Sequence, residues 1–154
     1  QQPRYQNLYL EAEATWDARM ALLNERLQAA GLPVEVANLH TICTVLYRRP
    51  SRYNWMFQFY LRDQGLELSW VGSGRMIMSL NFTAEDFEEV TCRFVRAAQE
   101  MLADGWWWHT PELTAKAIQK QLLAEMLQAR FPLLGREKPS MPNYHSESPG
   151  EIAQ

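Results

Sequence analysis

The 154 residues are 47% hydrophobic and 21% charged, the balance of an ordinary soluble domain, and a chain of this length buries a core without disulfide or metal staples. A formal net charge of -3 excludes a general positive field that would recruit nucleic acid or an anionic membrane. No apolar run approaches the roughly 18 to 20 residues that span a bilayer. The polar start Gln1-Gln2-Pro3-Arg4-Tyr5 is unlike a signal peptide, so the cytoplasm is the expected location. The chain does not open on Met, which fits a processed or engineered start, or excision from a longer polypeptide.

Residues 6–30 read as a long amphipathic helix. Trp16, Met20, Leu23, Leu27 and Ala30 recur at three- and four-residue steps, while Glu13, Asp17, Arg19 and Glu25 are expected in solvent. Gly31 and Pro33 stop it. Val34-Glu35-Val36 and the β-branched run Thr41–Tyr47 read as strands. Ser51 is a candidate cap for a helix over 52–64, with Tyr53, Met56, Phe57, Tyr60 and Leu61 inward and Gly65 as its end. Leu66–Trp70 alternates like a strand, Val71–Gly74 is a turn, and Arg75–Leu80 is the next strand. Thr83-Ala84-Glu85-Asp86 is a capping box that opens a helix to about Ala103, with Phe87, Val90, Phe94, Ala97, Ala98 and Met101 inward and Gly105 at its end. Trp106-Trp107-Trp108-His109 then leads into Thr110-Pro111, read as the start of a helix over 111–130. Residues 136–154 are polar and proline-bearing, and are expected to be a flexible tail.

The fold expected is α/β of the α+β type. It is a two-layer sandwich with an about four-stranded, mostly antiparallel sheet, helices on one face, and an extra C-terminal helix. Three segments follow from this reading: 1–105 as a small domain, 106–135 as an aromatic linker and helix, and 136–154 as the tail.

Segments spread over residues 6–104 resemble the C-terminal domain of class III, glutamate-1-semialdehyde aminomutase-like aminotransferases, which depend on pyridoxal phosphate. The resemblance lies in Arg19–Leu27 with Ala30-Gly31-Leu32-Pro33-Val34-Glu35-Val36, in Phe59–Leu68, and in Met78–Phe87. Where the family often has Gly-Ser-Met before its second strand, this chain has Leu39-His40-Thr41, and the family's junction histidine is Phe82. The position from which an aminomutase carboxylate reaches the active site falls near Gly74, which has no side chain.

The resemblance implies a parent homodimer that transfers an amino group on a small amino or keto acid, with pyridoxal phosphate held by a large domain outside this chain. The coenzyme needs a Schiff-base lysine. Residues 1–110 contain none, and the lysines are Lys116, Lys120 and Lys138, read as surface side chains. No catalytic or cofactor-binding residue is therefore assigned. The substrate-proximal candidates are Trp70, Ser73, Gly74 and Arg75: the turn glycines permit close backbone approach and Arg75 offers a bidentate carboxylate clamp, against the plainer reading of a hairpin turn.

The three tryptophans read as packing or as a docking patch. His40, His109 and His145 lack ligand spacing, so no metal site is expected. No phosphate-loop, dinucleotide or nucleophile-elbow motif occurs. Glu85, Asp86, Glu88 and Glu89 suit a helix N-terminus, and Arg48, Arg49 and Arg52 form a spot too small to specify nucleic acid. Cys43 and Cys92 are expected as buried, reduced thiols. The competing reading is a non-catalytic ligand- or protein-binding module anchored by the tryptophans. RNA binding on an open sheet is opposed by the charge.

Overall fold

A computed structural model describes residues 3–67 and 75–131. The elements in chain order are α1 (Pro3–Ala29), β1 (Val34–Leu39), β2 (Ile42–Tyr47), α2 (Phe57–Asp63), β3 (Arg75–Ile77), α3 (Ala84–Ala103) and α4 (Ala115–Arg130), with a 3-10 turn at Asn54–Met56 before α2. The chain divides into two units, Gln1–Ile118 and Gln119–Gln154.

Three helices end in the same way. Gly31, Gly65 and Gly105 take φ of 67, 75 and 74°, the left-handed region that glycine enters without a Cβ penalty. That turn lets Leu32 N–H reach the Leu27 carbonyl, Leu66 N–H the Leu61 carbonyl and Trp106 N–H the Met101 carbonyl, satisfying last-turn acceptors. At its other end α3 has the expected box: Asp86 N–H donates to Thr83 Oγ1 at 3.2 Å and Thr83 N–H donates back to the Asp86 carboxylate at 2.9 Å.

The sheet has three antiparallel strands among the described residues, in the order β1-β2-β3. Val36 opposes Val45, and Cys43 lies between Asn38 and Met76. Since cross-strand partners share a face, Val34, Val36, Cys43, Val45 and Met76 form one buried surface. It joins a single core with Trp16, Met20, Leu23 and Leu27 of α1, Phe57 and Leu61 of α2, and Phe87, Phe94 and Met101 of α3. All six residues read as the inward face of α3 are buried.

Several boundaries differ from expectation. β1 runs on to Leu39, and the hairpin closes through His40 at φ 51°, with its Nδ1 buried and without a hydrogen-bond partner. The helix expected from 52 begins only at Phe57, because the chain first makes the tighter turn in which Tyr53 N–H is held by Ser51 Oγ at 3.2 Å. Leu66 and Glu67 are not in a strand, and Leu68–Trp70, the rest of that expected strand, lies outside the described residues. β3 stops at Ile77 rather than Leu80.

The last helix starts at Ala115, not 111. Thr110 closes a turn with Leu113 N–H, and Thr114 is the cap, its Oγ1 accepting from Ala117 N–H at 3.1 Å. Cys43 is buried as expected, but Cys92 is exposed, since its place on α3 falls between the buried Thr91 and the half-buried Arg93 and turns outward. Arg19 is half-buried rather than solvated: its guanidinium lies 4.7 Å over the Trp16 ring and donates to the Phe82 carbonyl at 2.9 Å.

Candidate functional site

The second face of the sheet carries side chains in cross-strand rows. Ala37, Thr44 and Arg75 form one row, and Leu39, Ile42 and Ile77 the next. The second row is apolar and open: Leu39 is 68% exposed, Ile42 47% and Ile77 67%, and Leu46 on the same face of β2 is 42% exposed. At the edge of this face Arg48 pairs with Glu35 at 3.0 Å. A row of β-branched and leucine side chains normally lies against another layer.

Of the four residues read as substrate-proximal, Arg75 is described. It opens β3 on this open face, opposite Thr44 and beside the apolar row. Trp70, Ser73 and Gly74 lie outside the described residues. The tryptophan segment is packed. Trp107 is buried, its indole N–H donates to the Ala98 carbonyl at 2.9 Å, and its ring meets Phe57 at 5.2 Å and Tyr47 at 6.1 Å. Trp106 and Trp108 flank Tyr53, at 5.3 and 6.4 Å, and His109 Nδ1 lies 3.0 Å from the Pro50 carbonyl. The segment thus fixes the 48–56 loop to the end of α3.

Two further depressions lie on the helical layer. An apolar groove of about 570 Å³ runs between α2 and α3, lined by Met56, Phe59, Tyr60, Asp63, Glu100 and Asp104 among others. Within it Tyr60 Oη donates to Asp104 at 2.6 Å, and burial together with that bond pushes the phenol pKa up to about 12. A polar depression beside it is lined by Gln64, Glu89, Cys92, Arg93 and Arg96.

Burial alone pushes the Cys43 thiol up to about 11 and the Tyr47 phenol up to about 12, so both are neutral core groups. Among the described residues no three His, Cys, Asp or Glu side chains converge as metal ligands, and no helix is long and apolar enough to cross a membrane.

Solved structures share this fold, two transaminases among them. A transaminase with pyridoxal phosphate bound superposes with a TM-score of 0.53 at 21% identity, covering 68% of this chain and 25% of its own. The fold is transaminase-like. An omega-transaminase from Sphaerobacter thermophilus gives 0.51 at 18% identity, covering 60% of this chain and 24% of its own. The chain therefore spans about a quarter of the length of the transaminases it matches. No sequence-family profile and no curated protein matches it.

Among the described residues no lysine stands in a depression where the coenzyme of those neighbours could be anchored. Lys116 and Lys120 are both exposed on α4, and no lysine lines either depression. Sequence reasoning missed the open row and the groove. The row was concealed because β2 shows little contrast in polarity between its faces. The groove is hidden from the sequence because the helical spacing puts Met56 and Tyr60 inward and gives no sign that Trp55 and Phe59 point out, 54% and 48% exposed.

Proposed function

We propose that this chain is the small C-terminal domain of a class III, glutamate-1-semialdehyde aminomutase-like aminotransferase, with residues 1–105 as the family domain and 106–135 as an added linker and helix; 136–154, expected as a tail, lie outside the described residues. The observation that carries this reading is the sheet's uncovered apolar row of Leu39, Ile42 and Ile77, on a fold that spans only a quarter of a transaminase. Such a face calls for a second layer, and a pyridoxal-phosphate-binding large domain is the layer the fold implies.

In the parent the coenzyme supplies the electron sink for amino-group transfer, and its lysine belongs to the large domain. This chain alone does not hold it. Its own contribution is to complete the entrance to the active site: the stretch Trp70, Ser73, Gly74 and Arg75 meets the substrate, and Arg75 takes the carboxylate of a small amino or keto acid through paired hydrogen bonds. The parent is a homodimer.

Ile77→Glu tests this reading. On the isolated chain the side chain is solvated, so the melting temperature stays within error of the parent sequence. In the full polypeptide that contains the large domain, the same change buries a charge against that domain and lowers both stability and transaminase activity. Equal tolerance in both contexts contradicts the assignment.

A further inference from the structure

The carboxylates around the α2–α3 groove stand where the fold disfavours them. Asp63 is the last residue of α2, Glu100 lies in the last turn of α3, and Asp104 is the residue that ends α3. Helix C-termini carry partial negative charge, so a carboxylate there is repelled; α2 has Arg62 in its last turn, but α3 has no basic residue there to compensate. Hydrogen bonds fix two of the three: Tyr60 Oη holds Asp104 at 2.6 Å, and Gln64 Nε2 reaches both oxygens of Glu100 at 3.1 and 3.0 Å. Among the described residues no lysine or arginine lines the groove.

The floor between these charges is apolar. Met56 at the end of the 3-10 turn and Phe59 and Tyr60 of α2 line it, and Trp55 meets Phe59 edge-on at 5.6 Å while both remain about half exposed. Exposed aromatic side chains with a half-buried methionine beside fixed charge are the composition of binding hot spots. Negative charge gathered at helix ends against local electrostatics is a departure from stability design, and such departures mark function.

We infer that the α2–α3 groove docks a basic, amphipathic segment of a partner polypeptide, which sets apolar side chains on Met56 and Phe59 and places lysine or arginine against Asp63, Glu100 and Asp104. Residues 56–63 span about 10 Å of helix, room for roughly two turns of a facing helix. The cations would neutralise both the carboxylates and the helix ends. This surface is distinct from the open sheet face, so the inference does not depend on the transaminase reading.

The test is a titration of the full chain, followed by Trp emission, with three probes: a synthetic amphipathic peptide built from Lys and Leu, a Glu and Leu peptide of the same pattern, and butylammonium. The expected result is saturable binding of the first peptide alone. It weakens about tenfold in Asp63→Asn/Glu100→Gln and in Phe59→Ala, and is unchanged in Glu13→Gln, a remote exposed carboxylate. The melting temperature of the double variant, equal to or above that of the parent sequence, verifies that it folds. Equal binding of the acidic peptide, unaltered binding by the double variant, or binding of butylammonium as tight as that of the basic peptide would each overturn the inference.

Discussion

Asn24 and Val36 exchange two hydrogen bonds of 2.8 Å each: the side-chain amide of Asn24 on α1 donates to the Val36 carbonyl and accepts from the Val36 N–H. Among the described residues β1 has no strand on this side, and the Val36 side chain faces the core. The asparagine satisfies the backbone groups of Val36 and ties helix to sheet. Asn24→Ala leaves a half-buried donor and acceptor of the backbone unpaired. A loss of about 1 to 3 kcal/mol is expected in urea unfolding, with the m-value unchanged.

Gly65 is tied to its place by more than its dihedral angle. It has φ 75°, and a Cβ there would lie 2.8 Å from the Arg93 guanidinium, which itself donates to the Gln64 carbonyl and to Glu89. Gly105 has φ 74°, but a Cβ added there would meet open space. Both Gly→Ala changes destabilise, Gly105→Ala by about 1 kcal/mol and Gly65→Ala by more, because the guanidinium must also shift. Thermal melts of the two variants side by side give the comparison.

Thr91 has a buried hydroxyl with no hydrogen-bond partner in the middle of α3. Thr91→Val keeps the shape and removes the orphaned group. Stability is expected to rise by about 1 kcal/mol, read from the shift in denaturation midpoint.

The two thiols separate in reactivity. Cys43 is buried and its pKa is pushed up from 9.0 to about 11, by burial alone. Its folded value exceeds its unfolded one, so its contribution to stability is complete below about pH 9 and is lost as pH rises through about 11. Cys92 is exposed and directs its thiol toward Glu88 at 3.4 Å. A thiol reagent at pH 8 therefore labels Cys92 first, and Cys43 only on unfolding, as peptide mapping resolves.

Much of the fold is legible in the sequence wherever a local signal acts alone. Gly31, Gly65 and Gly105 terminate helices because no other residue takes that turn freely, and the Thr83–Asp86 box needs only its four residues. Reading failed where two local signals competed or where the partner was distant. Thr110-Pro111 and Thr114 are both plausible caps, and the turn closed by Leu113 decides for the second. Asn24 looks like a surface residue until β1 lies beside it, and Arg19 looks solvated until Trp16 and Phe82 offer a ring and a carbonyl.

Of the candidate site, Arg75 lies on the open sheet face opposite Thr44, whereas Trp70, Ser73 and Gly74 fall outside the described residues. The tryptophans resolved as packing, since the Trp107 indole reaches the Ala98 carbonyl from within the core.

The most direct test concerns where the coenzyme is attached. The native polypeptide containing this sequence, loaded with pyridoxal phosphate, is reduced with borohydride, digested and mapped by mass spectrometry. The phosphopyridoxyl-lysine is expected in a peptide outside these 154 residues. A saturable adduct on Lys116, Lys120 or Lys138, or a native polypeptide that takes up no coenzyme at all, contradicts the assignment.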